Sequence, residues 1–407
     1  MTETPTNVRF PQGRTAFLLI HGIGQQNPYE TVDYFAQNLL KYFQQEKLPT
    51  DLEHQIARRK YDNGSGWTES FVRLSPKDAE TKGLQGQIDV HEYYWAPDTE
   101  NKISVPEILQ WAEQTLEGTI EFYNRPENRK LLDHLLKNQN RKGWFKFRLR
   151  SLTIFLRIFN FIYPLLRLAI LLVLLLAGPF LKGRYLQSAW KLSKTLITPM
   201  LINFVGDVAI YTKTDPKSPY QKIRQQVISE CLTLLQQILQ DQQANYDQVI
   251  IVGHSLGSCI AYDTLNQLCI ESTLSPDLPK SIGIDRLKGL VTFGSPLDKI
   301  AFFFSNVAQE GQYIRRRIIE HLKSFRVKTE LVEESPYLSK NPVVCKLEHI
   351  SWVNYYHLQD PISGNLDYYE NLTNEEMTYK TSWGTSGHLG YWTDMKFYES
   401  IAKRFLY

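Results

Sequence analysis

Two apolar patterns alternate along the first hundred residues. Residues 16–20 form a continuous apolar run, as a strand buried on both faces requires. Val32, Phe35, Ala36, Leu39, Leu40 and Phe43 then recur at helical spacing. Two strands are predicted near 55–60 and 67–74, on either side of Gly64-Ser65-Gly66, and another at 88–95. From 99 to 206 the alternation stops and the pattern is mostly helical. It then resumes. Ile223, Val227, Cys231, Leu234, Leu235 and Ile238 line one helix face; 249–252 is a buried strand and 256–268 a helix. A loop is expected at 272–285, strands at 287–293 and 350–357, and a closing helix at 392–405. Strand and helix in alternation predict an α/β fold with a doubly wound, mostly parallel sheet. The break divides the chain into 1–98, 99–206 and 207–407: one domain in two parts with a helical insertion between them.

The strand at 249–252 runs into Gly253-His254-Ser255-Leu256-Gly257, a G-x-S-x-G motif between a strand and a helix. A strand that turns abruptly into a helix holds its serine in a strained conformation. Small residues two before and two after let the neighbouring backbone approach. The hydroxyl is then displayed at the positive end of a helix. An ordinary glycine-rich turn would read the same in isolation, and the flanking strand and helix favour a nucleophile.

Serine needs a base to take its proton and a carboxylate to orient that base, here in the chain order serine, acid, histidine. Four of the nine histidines follow Ser255: His321, His349, His357 and His388. His321 sits in an arginine-rich helical stretch, and His349 and His357 in the strand pattern. His388 lies between glycines in Ser386-Gly387-His388-Leu389-Gly390, ahead of the last helix, and is the expected base. Asp360 follows the strand at 350–357, and Pro361 biases its backbone towards an extended form. It is the preferred acid by analogy with the usual placement. Asp298, after the preceding strand, is the alternative. For the oxyanion, donors are expected at Leu256 and in His21-Gly22-Ile23-Gly24, from Ile23 or Gly24. His21 precedes those donors and is read as structural.

These residues carry a resemblance. His21-Gly22-Ile23-Gly24, Gly253-His254-Ser255-Leu256-Gly257, Thr292-Phe293-Gly294-Ser295-Pro296 and the Asp360/His388 order resemble the α/β-hydrolase superfamily on its lipase and esterase side. The resemblance spans about 1–98 and 207–407. It implies hydrolysis of an ester through an acyl-serine intermediate. The stretch between the early strands and the nucleophile is much longer than a minimal member needs.

Charge changes the picture of the insertion. The formal net charge is only +3, yet residues 134–206 hold 12 Lys or Arg and no Asp or Glu, so the rest of the chain is acidic. Residues 158–181 carry one charge, Arg167, and are long enough to span a bilayer. Both flanks belong to one sheet, however, so only an even number of crossings, or none, is compatible. Pro164 and Pro179 also interrupt the run. The favoured arrangement is monotopic. Arg148, Arg150 and Arg157 would meet anionic headgroups, Leu171 and Leu174 the acyl region, and Trp144 with the neighbouring phenylalanines the interface. A soluble cap around a buried leucine-rich helix is the alternative. Nucleic acid is not expected, since an aliphatic run has no use there.

The N-terminal residues 1–14 lack the apolar core of a secretory signal, and four cysteines show no metal-ligand spacing. The expectation is therefore a cytoplasmic, membrane-associated serine hydrolase acting on a lipid ester, with no metal and no cofactor. Acyl transfer or thioester cleavage by the same residues, and a non-catalytic membrane adaptor of the same fold, are the competing readings.

Overall fold

The computed structural model describes residues 10–23, 27–60, 66–77, 86–99, 211, 218–298, 312–328, 340–345, 347–360, 362–381 and 385–407. Gly24, Arg148, Arg150, Arg157, Leu171, Leu174 and the segment 158–181 lie outside them. Eight strands make one mixed, mostly parallel sheet: β1 (Arg14–Ile20), β2 (Thr50–Lys60), β3 (Gly66–Pro76), β4 (Gln87–Tyr93), β5 (Gln248–His254), β6 (Leu287–Phe293), β7 (Ser351–Tyr356) and β8 (Leu372–Glu376). Their spatial order is β2-β3-β4-β1-β5-β6-β7-β8. The run from β4 to β8 is parallel throughout, and β2 and β3 add an antiparallel edge.

The helices are α1 (Glu30–Gln45), α2 (Pro219–Leu239), α3 (Leu256–Leu274), α4 (Tyr313–His321), α5 (Thr385–Leu389) and α6 (Met395–Phe405), with shorter turns between them. Alternate strand residues divide the core. Phe17, Leu19, Ile250, Val252, Val291 and Val353 share one cluster with Phe35 and Leu39 of α1 and Phe397 and Ile401 of α6. Their neighbours in sequence, Leu18, Ile251 and Leu290, are equally buried and point to the opposite face. This two-sided burial is why the parallel strands read as continuous apolar runs.

The order has one topological consequence. β1 has β4 on one side and β5 on the other, so the chain winds away from it in both directions. Open α/β sheets bind ligands outside the carboxyl ends of the strands at such a switch point. In register, Ile20 pairs with Tyr93 and with Gly253, and His254 pairs with Phe293. The loops that leave β1, β4, β5 and β6 therefore emerge from one edge.

Three local differences from the sequence reading have physical causes. The edge strand β8 was not anticipated: Leu-Thr-Asn-Glu-Glu is mostly solvent-facing, so no apolar run marks it. The stretch 272–285 is only partly loop, because α3 continues to Leu274 and Leu278–Ile282 forms a short helix with proline in its first turn. The closing helix begins later than predicted, since Asp394 caps α6 by accepting from the Lys396 amide at 3.1 Å.

The chain divides into two compact units, 1–95 with 225–301 and 310–407, and 96–224 with 302–309. The first contains the whole sheet. Among the described residues no helix is long and apolar enough to cross a membrane.

Candidate active site

Ser255 stands between β5 and α3 with φ 52° and ψ −126°. A non-glycine residue held there carries strain of about 1–3 kcal/mol, sustained only where the surroundings enforce it. Here the surroundings are close backbones. A Cβ on Gly253 would stand 2.5 Å from the Gly257 carbonyl oxygen, and one on Gly257 2.2 Å from that of Ile20. Two glycines thus let α3 start directly against the end of β1. The Ser255 amide donates to the Phe293 carbonyl at 3.0 Å, and the Ser258 hydroxyl to that of Gly253 at 2.7 Å. Leu256 is the first residue of α3, where amides have no carbonyl within the helix.

The loop after β1 closes in from the other side. A Cβ on Gly22 would lie 2.8 Å from Cβ of Ser255. Beside it, the Trp95 amide donates to Nε2 of His21 at 3.1 Å, which leaves Nδ1 to donate to the Gly22 carbonyl at 2.7 Å. Burial pulls the His21 pKa down to about 4 against the pull of that carbonyl. The neutral ring also stacks on Trp95 at 5.1 Å. His21 is thus a fixed brace for the loop that carries Ile23.

His388 lies in α5 and comes close to His254, the residue before Ser255. Its ring centroid is 4.7 Å from that of His254, whose Nε2 donates to the His388 carbonyl at 3.1 Å. Burial, with the charge of His388 next, keeps the His254 pKa well below its usual value, so this ring is a neutral donor. Phe293 and Trp392 pack around it at 4.8 and 5.2 Å. Gly294 has φ 59°, and a Cβ there would stand 3.0 Å from Cε1 of His388. The His388 Nδ1 lies 2.9 Å from Oδ2 of Asp360, while its buried Nε2 has no hydrogen-bond partner among the described residues.

Asp360 follows β7 and is fully engaged. Its Oδ1 accepts from the Ile362 amide at 2.9 Å, and its Oδ2 also accepts from the Tyr391 hydroxyl at 3.0 Å. Burial alone would raise its pKa. The hydrogen bond and charge of His388, the Ile362 amide and Tyr391 outweigh that and hold it below the usual carboxylate range. Asp360 is therefore an ionised orienter for Nδ1.

Asp298 is placed elsewhere. Its oxygens accept from the amides of Asp367 at 2.9 Å and Tyr368 at 3.4 Å, and burial lifts its pKa to about 7 despite those bonds. The structure thus brings Asp360, not Asp298, to His388. His357 is occupied as well, with Nε2 at the Tyr379 carbonyl and Nδ1 accepting from the Gln359 amide. Two participants have no signal in the sequence. Tyr391 reaches Asp360 from 31 positions away, and His254 braces His388 from inside the serine motif.

Among the described residues no group of three or more His, Cys, Asp or Glu is arranged to hold a metal ion. Compared with known proteins, the chain matches no family model, no curated protein and no solved structure.

Proposed function

We propose that this protein is a serine hydrolase of the α/β-hydrolase type that cleaves carboxylic esters through an acyl-serine intermediate. One observation carries the reading. Ser255 is held at positive φ on a strand–helix turn, and the ring of His254 just before it packs against that of His388, whose Nδ1 is committed to an ionised aspartate and whose Nε2 has no partner among the described residues. Structural histidines such as His357 use both nitrogens.

In the reaction, Nε2 of His388 takes the Ser255 proton as Oγ attacks the ester carbonyl carbon. The carbonyl π pair moves to oxygen, and the oxyanion accepts from the amides of Leu256 and of Ile23 or Gly24. The intermediate collapses, the C–O bond to the alcohol breaks, and His388 returns its proton to the leaving oxygen. Water then attacks the acyl-serine by the same route and releases the carboxylic acid. Asp360 stays ionised throughout and stabilises the imidazolium.

The insertion supports a lipid as the ester. A segment with 12 basic and no acidic residues around an aliphatic run suits an anionic bilayer surface better than a small soluble substrate. A fluorophosphonate probe is expected to label the wild type and not Ser255→Ala. Equal labelling of the two would remove the assignment. Flotation with anionic liposomes is expected to be salt-sensitive and to be lost on deletion of 141–200; no flotation in the wild type would overturn membrane docking alone.

A further inference from the structure

Two of the four cysteines meet. Cys269 lies fully buried in α3, one turn before Thr273 on the same side of the helix. The Thr273 hydroxyl accepts from the Val344 amide at 3.4 Å and donates to the Cys269 carbonyl at 2.9 Å, so the chain around Val344 runs along the last turn of α3. Cys345 follows Val344 there. It is half-buried, and its sulfur accepts a hydrogen bond from the Cys269 thiol. The Leu347 amide donates to the same sulfur. Nearby stands Arg326, a buried guanidinium whose charge acts on Cys269 and which donates to the carbonyls of Leu347 at 2.6 Å and Ile350 at 2.8 Å. Cys231 and Cys259 are buried in the core.

The two sulfurs are unlike. Cys345 reaches solvent, and the bond from the Cys269 thiol, opposed by burial and helped by the Leu347 amide, draws its pKa down to about 6. Cys345 is thus a thiolate at neutral pH, the form that peroxides oxidise. The Cys269 thiol is pushed the other way, by its bond to Cys345 and by burial, and keeps its proton until its neighbour has reacted. It already touches the sulfur it would attack. A solvent-reaching thiolate beside a second, resolving thiol is the arrangement of a redox-sensitive pair. A cysteine that only fills the core needs neither solvent nor a partner sulfur. The S–S bond, about 2.0 Å long, requires the sulfurs to close in. Cys345 lies in a stretch with neither helix nor strand, which can shift towards α3.

We propose that Cys269 and Cys345 form a peroxide-sensitive dithiol site that closes reversibly to a disulfide. The Cys345 thiolate attacks hydrogen peroxide, the O–O bond breaks, and a sulfenic acid and hydroxide form. Cys269 gives its proton to that hydroxide and attacks the sulfenic sulfur. The S–S bond forms, the S–O bond breaks, and hydroxide leaves. Each sulfur has then lost one electron, and the peroxide has been reduced to water and hydroxide. Exchange with a small dithiol restores both cysteines. The bond would fasten α3, which starts beside Ser255, to the chain entering β7, which Asp360 follows. It is independent of what Ser255 does.

The test has two arms, both on the full chain. In the first, reduced wild type is treated with hydrogen peroxide, its remaining thiols are alkylated with iodoacetamide in denaturant, and the peptides are mapped by mass without reduction. A peptide pair joined through Cys269 and Cys345 is expected, which dithiothreitol separates, while Cys231 and Cys259 are recovered alkylated. In the second, dimedone is present during oxidation. Its adduct on Cys345 is expected to rise about tenfold in Cys269→Ser, where nothing resolves the sulfenic acid. Four results overturn the site: no change with peroxide, Cys345 ending as sulfinic acid with Cys269 still alkylated, links through Cys231 or Cys259 in equal yield, or equal dimedone adducts in wild type and variant. If Cys269→Ser does not fold, the wild-type map decides alone. Neither arm needs a substrate, so absence of fluorophosphonate labelling bears on the hydrolase reading and leaves this one intact.

Discussion

Nε2 of His254 donates to the backbone carbonyl of His388 at 3.1 Å, so the residue before Ser255 holds the backbone of His388. Ser255, at the start of α3, and His388, in α5, are 133 positions apart, and this bond ties them without involving either side chain. His254→Phe keeps the ring packing against Phe293 and Trp392 and removes the donor. The expected result is a fall in kcat of roughly tenfold with little change in KM, since a loosened base loses transition-state geometry. Steady-state hydrolysis of p-nitrophenyl butyrate measures it.

The two aspartates separate cleanly. Asp360→Asn is expected to lower kcat by about 10⁴, because the amide no longer selects the Nδ1–H tautomer. Asp298→Asn, whose side chain still accepts from the Asp367 amide, is expected to keep most activity. Similar losses in both variants would contradict the roles assigned to them.

Their pH signatures run in opposite directions. The folded-state pKa of Asp360 is depressed, so its contribution to stability is present above the unfolded value near 4 and is lost as pH falls below it. That of Asp298 is raised to about 7, so its contribution is full below about 4 and is lost as pH rises towards 7. Relative to wild type, Asp298→Asn should therefore gain stability between about pH 4 and 7. Urea unfolding at a series of pH values reads the difference.

Tyr391→Phe removes one of the donors that keep Asp360 ionised. The acid limb of the kcat/KM profile should move to higher pH, with a modest loss at neutral pH of a few-fold. An unmoved acid limb would reduce Tyr391 to packing.

Gly22 and Gly257 should fail differently on conversion to alanine. At Gly257 the new Cβ meets backbone oxygens of Ile20 and His21 at 2.2 and 2.5 Å, which nothing flexible can relieve. A loss of several kcal/mol and of soluble protein is expected. At Gly22 the Cβ meets the Ser255 and His254 side chains, so fluorophosphonate labelling should fall more than the melting temperature does.

How much was legible followed from what each element must bury. β1, β5 and β6 are covered on both faces, and their apolar runs mark them within a residue or two. β8 is covered by neither, and Leu372–Glu376 offers nothing to periodicity. The serine turn was readable because steric demand fixes glycines at 253 and 257 on either side of it. Asp360 and Asp298 each follow a strand and look alike in sequence; the choice depends on which loop meets α5, a tertiary fact. The roles of Tyr391 and His254 depend on contacts between distant segments and leave no local trace.

The position of β1 between β4 and β5 has a further consequence, for the length of chain the fold can carry. Ile20 must find Gly253 across 233 positions, and most of that separation is the stretch between Tyr93 and Gln248. The entropy of closing a loop rises only logarithmically, by about 0.6 kcal/mol per doubling. Once β4 and β5 flank β1, the sheet is thus nearly indifferent to how much chain lies between them. Folding speed would register that length far more than stability does. The stretch between Tyr93 and Gln248 can lengthen or shorten while the sheet that carries Ser255 keeps its geometry.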